Sequence, residues 1–273
     1  MSKLSDTFVF FGKLVSKKTS GLFGVWILST LLLLVPSVIF WFFHGKIASM
    51  QLTLSEIFKA GIENIKTGAD FFHSIPPEMQ PTLYVILALI ILTFVVITGF
   101  VQSGFVGFLK NDSSSPGEQI KAFFKSGIKS LPQMIVANLI IALVILFAVV
   151  VGFLIGAIVF MIAGLLLLLV VIAVAIYAYV RFAYTPYIVV LEKKSGPASI
   201  FDSMSKTGKH TGTIAFIVLP LTLASQYITG LVTNMPGLTE LVMSLFFIIQ
   251  LALLMPLYLD SIDNKKNKMV VQR

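Results

Sequence analysis

The sequence predicts an all-α, polytopic membrane protein: six transmembrane helices, basic amphipathic interfacial helices and a parallel internal repeat. Three observations predict it. First, the 273 residues are 57% hydrophobic and only 12% charged, with a mean hydropathy of +0.98, whereas a soluble domain carries roughly 25% charge. Second, uncharged runs of membrane-spanning length alternate with short basic segments. Third, the stretch from Arg181 to Gly212 repeats the plan of a stretch 81 residues earlier: Pro116 aligns with Pro197, and Lys125-Ser126-Gly127 with Lys206-Thr207-Gly208.

Bulk composition excludes several function classes. The net charge of +8 would suggest nucleic acid if the cations shared a water-exposed face. Here they sit between apolar spans, which points to orientation in a bilayer and to anionic lipid as partner. Without cysteine the chain has no disulfide, thiolate metal site or thiol nucleophile. The first apolar run, Leu22–Phe43, spans 22 residues. A signal core is about 7–15 residues long, and Ile47-Ala48-Ser49 makes a poor cleavage site, so the run is read as a first membrane helix.

Leu4–Lys18 places Phe8, Phe11, Gly12 and Val15 on one helical face and ends in Lys13, Lys17 and Lys18, the pattern of a helix lying on a membrane surface. Span one (22–43) follows, kinked at Pro36. The loop 44–82 needs structure of its own. Within it Thr53-x-x-Glu56 is a capping box, and an amphipathic helix is predicted over about 53–72, with Lys59–Glu63 and Lys66–Asp70 pairs on its polar face. Span two (83–109) carries a small-residue stripe, Gly99, Ser103 and Gly107, suited to close helix packing. Ser115-Pro116-x-Glu118 then supplies an N-cap, a first-turn proline and a capping-box glutamate. The helix that begins there sets Ile120, Phe123, Phe124, Gly127, Ile128 and Leu131 against a basic stripe of Lys121, Lys125 and Lys129.

From Met134 to Val180 no residue is charged over 47 positions. One straight helix of that length would reach about 70 Å, more than twice a ~30 Å hydrocarbon core. The segment must fold back, and the turn is placed at Gly152–Gly156, giving spans three (133–153) and four (157–181, or to 191). Spans five (213–233) and six (238–259) follow, and the tail 260–273 is polar and basic. The chain is thus one membrane domain, with units 1–110, 116–191 and 197–259. With six crossings, both repeat helices and both termini share a side that holds 17 of the 20 Lys and Arg. The positive-inside rule makes that side the cytoplasm, in a multi-pass protein of the cell membrane. Each unit contributes two crossings, so the repeat is parallel rather than inverted, and the helix at 4–18 with spans one and two reads as a third, diverged copy.

The residues Arg181, Pro186, Glu192, Gly196-Pro197-Ala198, Ser203 and Lys206-Thr207-Gly208 resemble a pattern in a bacterial integral membrane superfamily. It includes the membrane domain attached to some glycerophosphodiester phosphodiesterases and related uncharacterised six-helix proteins. The similarity is sharp over about 35 residues. It implies a six-helix membrane module and, with no phosphodiesterase domain in this sequence, no hydrolysis; it carries no ligand residues across.

Candidate sites follow from charge in apolar surroundings. Arg181 stands between two apolar runs, where charge defaults to a functional role. The plainer reading, which we favour, is an arginine snorkelling at the boundary while the chain bends at Pro186 to run along the interface. Glu192 or Asp202 would pair with it in either case. Lys121, Lys125, Lys129, Lys193, Lys194, Lys206 and Lys209 are candidate contacts for anionic lipid headgroups or a partner protein. Gly99, Ser103, Gly107, Gly152 and Gly156 are candidates for helix packing. Asp70-x-x-His73 with His44 is a weak metal motif among only three histidines. No nucleophile–base or paired-carboxylate arrangement lies in the spans. The expected protein is therefore non-enzymatic and without a cofactor, binding or assisting transport of a lipid or amphipathic ligand. The alternatives are a scaffold subunit of a homo-oligomer or membrane complex, or a membrane-embedded enzyme acting on lipid.

Overall fold

The computed structural model describes residues 2–49, 80–232 and 237–271, and within them every regular element is helical. In chain order these are α1 (Ser2–Ser49), α2 (Gln80–Lys110), α3 (Pro116–Phe182), α4 (Thr185–Leu191), α5 (Gly196–Thr207), α6 (Thr211–Val232) and α7 (Leu238–Val271). Six stretches are long and apolar enough to cross a membrane: Ser5–Ile39, Tyr84–Lys110, Pro116–Phe147, Ala173–Leu191, Thr211–Val232 and Leu238–Ile262. The amphipathic helix predicted near 53–72, with Asp70 and His73, lies outside the described residues, as does the side chain of His44. Residues 1–30 with 98–273 form one compact unit and 31–97 a second. The interactions below belong to the first.

α1 breaks where the sequence changes character. Lys18 leaves helical geometry (φ −125°, ψ 24°), so the surface-type segment and the first span are two helices joined at that residue. The first segment packs one face on the protein. Thr7, Leu14 and Lys18 are buried with Phe10 and Phe11 packed on the core, while Phe8 is 54% exposed. The Lys18 ammonium explains the register. It donates to the carbonyls of Phe108 and Leu109 at 3.2 Å each and to that of Asn111, capping the C-terminal end of α2 where the helix dipole is negative.

α3 is helical along its whole length, Gly152–Gly156 included, so no break in the helical backbone marks the expected turn. Neither residue sits beside a proline or a polar cluster that would stop a helix. The fold-back itself is nevertheless present. Gln133 Oε1 accepts from the backbone N–H of Gly196 at 3.0 Å, and the Arg181 carbonyl accepts from Ser203 Oγ at 2.8 Å. Gly196 and Ser203 both belong to α5, a helix of 12 residues and hence about 18 Å. Gln133 and Arg181 would lie about 70 Å apart on a straight helix. Ala137, Phe182 and Ile200 also share one buried cluster, with Ile140, Ile141 and Ala178 against it. The path therefore reverses between residues 142 and 177, and α5 lies across the two arms at their common end.

α7 lies at the centre of this unit. Ile248, Leu251 to Met255, Leu257 and Tyr258 are all buried, which surrounds that part of the helix with protein rather than lipid. α6 shows the opposite pattern: Phe216, Leu223, Tyr227 and Leu231 are each more than 60% exposed. The α6–α7 pair is antiparallel. Thr239 approaches Val232 at one end (3.5 Å), and His210 meets Asp260 at the other (3.3 Å).

Candidate functional site

The chain breaks at Ala183–Tyr184, and Pro186 starts the short α4 in its first turn. Thr185, Pro186, Tyr187, Ile188 and Val189 are all buried, so the segment is packed inside the protein and does not run exposed along an interface. The reason is local. Four of its seven residues are bulky and apolar, and Ser203 joins the break from outside: its hydroxyl accepts from the N–H of Tyr184 (3.1 Å) and donates to the carbonyl of Arg181 (2.8 Å). Thr207 reaches the same carbonyl at 3.3 Å. Gly196 holds the start of α5 against α3. A Cβ there would meet the Gln133 carbonyl oxygen at 2.7 Å and the Ala137 nitrogen at 3.0 Å, both backbone atoms that cannot move aside.

Arg181 pairs with neither carboxylate proposed for it. Its guanidinium lies 5.6 Å from the ring centroid of Tyr177 and close over Gly208, and its Nε is buried without a hydrogen bond among the described residues. Glu192 is taken instead by Lys206, by Lys194 at 3.3 Å and by the Tyr258 hydroxyl at 2.6 Å; Lys194 also binds Asp202. Burial alone would raise the Glu192 carboxyl. The hydrogen bonds from Lys206 and Tyr258 outweigh it and hold the group below the usual carboxylate range. Hydrogen bonding to Asp202, first among several causes, pushes Lys194 upward.

Beneath this network lie three fully buried tyrosines. Tyr258 stacks on Tyr187 (5.2 Å, 21°) and meets Tyr184 edge-on (5.5 Å, 73°), while the Tyr187 hydroxyl donates to the Leu251 carbonyl. They join α4 to α7. Sequence reasoning missed all three. The available signal was three tyrosines near the ends of apolar runs, two of them three residues apart.

The seven candidate lysines divide into distinct groups. Lys206 is turned inward, with 9% of its side chain exposed, and lies 5.7 Å from the Tyr258 ring centroid, so its charge serves Glu192 rather than a headgroup. Lys194 is paired, and Lys121 and Lys209 are exposed. Lys125, Lys129 and Lys193 come together with Lys110 around a cavity of about 300 Å³, lined also by Gly107, Ser126 and Val190. None of these four lysines is in an ion pair among the described residues. Of the small-residue stripe, only Gly107 lines it. Ser103 is buried and donates to the Gly99 carbonyl at 2.7 Å, while a Cβ on Gly107 would fall 2.1 Å from that of Ser126. The side chains around Gly152 and Gly156 lie outside the described residues.

At the N-terminus of α3, Ser115 is the N-cap and Pro116 follows it, but the Ser115 hydroxyl makes no capping bond. Asn111 secures the entry instead: its Nδ2 donates to the Glu118 carbonyl (3.0 Å) and its Oδ1 accepts from the Ser113 N–H (3.1 Å). Among the described residues, no three His, Asp or Glu side chains converge as a metal site would require. No protein-family model, curated protein or solved structure matches this chain, so the resemblance centred on Arg181–Gly208 rests on those residues alone.

Proposed function

We propose that this is a non-enzymatic integral membrane protein that binds, or assists transport of, an anionic lipid or similar amphiphile at its basic end. The single observation behind the reading is the open cavity lined by Lys110, Lys125, Lys129 and Lys193. It lies where the apolar runs of α2 and α4 stop, which is the depth of lipid headgroups for helices that span a bilayer. Charge would draw the anion, and the apolar outer faces of α2 and α3 would accommodate the tails.

The same reading places this end in the cytoplasm by the positive-inside rule and treats α3 and α5 as openings of parallel repeat units. One geometric pairing supports the repeat: Phe100 packs on Gly127 as Arg181 packs on Gly208, two contacts related by the 81-residue register. Native mass spectrometry of the detergent-extracted chain tests the function. Retained anionic phospholipid that falls severalfold in the Lys121→Gln, Lys125→Gln, Lys129→Gln triple variant is the expected result. Retention unchanged in the variant rejects these lysines, and an extract with no retained lipid favours a scaffold subunit.

A further inference from the structure

We propose that the lysine-lined cavity is a site for a phosphomonoester, a phosphate group with a single ester link and a double negative charge, and that Lys193 is held in a costly backbone conformation to complete it. The inference rests on the amphiphile-binding reading and narrows it to one headgroup chemistry. Two independent observations carry it.

The first is charge. Lys110 comes from the end of α2, Lys125 and Lys129 from successive turns of α3, and Lys193 from the link after α4. Of the carboxylates near these lysines in sequence, Glu192 is already engaged by Lys206, Lys194 and Tyr258, and Asp112 makes no ion pair with Lys110 among the described residues. Four lysines line one cavity and none is ion-paired among the described residues, so the site is positive, and a dianion is drawn to it more strongly than a monoanion. The hydroxyl-bearing Ser126 and Ser130 also line the cavity, and hydroxyls donate to phosphate oxygens.

The second is backbone geometry. Glu192 caps α4, and Lys193 follows in the left-handed region at φ 56°, the only described residue other than glycine with positive φ. Helices commonly end on such a residue, but it is usually glycine, because a Cβ is disfavoured there. A lysine at this position carries a conformational cost that glycine would not, and strain of this kind concentrates at ligand sites. Lys193 is one of the residues that line the cavity.

The test uses the full chain in detergent with three probes: dioctanoyl phosphatidate, dioctanoyl phosphatidylglycerol and inorganic phosphate. Phosphatidate should bind about tenfold or more tightly than phosphatidylglycerol. Its affinity should fall severalfold from about pH 7.5 to 5.5, because a phosphomonoester dianion is protonated to the monoanion near pH 6. Lys193→Gly and Lys129→Gln should each weaken phosphatidate binding by about tenfold. Lys193→Gly should melt no lower than the parent, which separates lost binding from lost folding. Inorganic phosphate competing weakly assigns the group to a lipid; phosphate competing as well as phosphatidate supports the site and assigns it to a soluble ligand. Unchanged affinity in both variants overturns the site. Equal affinity for the two lipids, with both lost in the triple lysine variant, overturns the phosphomonoester assignment and leaves the broader reading intact.

Discussion

At the scale of single residues, the fold places cations that look alike in the sequence in different surroundings. Lys13, Lys17 and Lys18 look alike as the end of a basic segment. Only Lys18 falls on the face that carries Thr7 and Leu14, and so only it is carried inside to the end of α2. Replacing a charged donor that satisfies several buried carbonyls removes favourable bonds and leaves acceptors unpaired. Lys18→Met should therefore cost about 2–4 kcal/mol, while Lys17→Met, at an exposed position, should stay within about 0.5 kcal/mol. Thermal or denaturant unfolding in detergent compares the two, and equal effects would remove the capping role. Arg181 shows a different limit of sequence reading. Its place at a boundary between apolar runs was legible, but its partners were not, because pairing depends on which carboxylate the fold has already committed.

Among elements, the informative unit is the junction of α4, α5 and α7. Its glycine, serine and threonine signals were visible in the sequence, and the structure gives each a mechanical use: Gly196 for close approach, Ser203 and Thr207 for the break at Ala183–Tyr184. The tyrosine layer was not legible, since a tyrosine near the end of an apolar run reads equally well as an interface anchor facing lipid. The Glu192–Lys206 pair makes the junction sensitive to acid. Folding holds the Glu192 carboxyl below its ordinary value near 4.5, so the folded state favours the ionised form. That stabilisation is fully present above about pH 4.5 and is lost as pH falls through the depressed folded value. The melting temperature should accordingly drop below about pH 4.5 in the parent and much less in Glu192→Gln. Lys206→Met alone leaves Glu192 short of its main partner and should cost about 2–4 kcal/mol, with the double variant recovering part of the loss. A double variant as unstable as the sum of the two singles would mean the pair is not coupled.

Across the whole molecule, what could be read in advance was what composition and length control: helical class, spans and the clustering of charge. The fold-back of the long uncharged segment was legible from length alone, because no bilayer accommodates it straight. The exact place of its turn was not, since neither a proline nor a polar cluster marks it in the sequence. The contacts give the topology one firm internal constraint. Lys125 shares a cavity with Lys193, Lys206 pairs with Glu192 one residue away, and His210 meets Asp260 near the end of the apolar span of α7. Lys125, Lys206 and Asp260 therefore belong to one end of this unit, while Val232 stands at the far end of the apolar span Thr211–Val232. The chain has no cysteine of its own, so single cysteines report sidedness without background. Ser114→Cys, Lys209→Cys and Asn234→Cys should divide two to one under a membrane-impermeant thiol reagent applied to intact cells. Asn234→Cys should label from outside, while Ser114→Cys and Lys209→Cys should label only after the membrane is opened. If Ser114→Cys and Lys209→Cys label from opposite sides, the shared basic end and the parallel repeat both fail. If the two agree but label from outside, the end is intact and the cytoplasmic assignment is reversed.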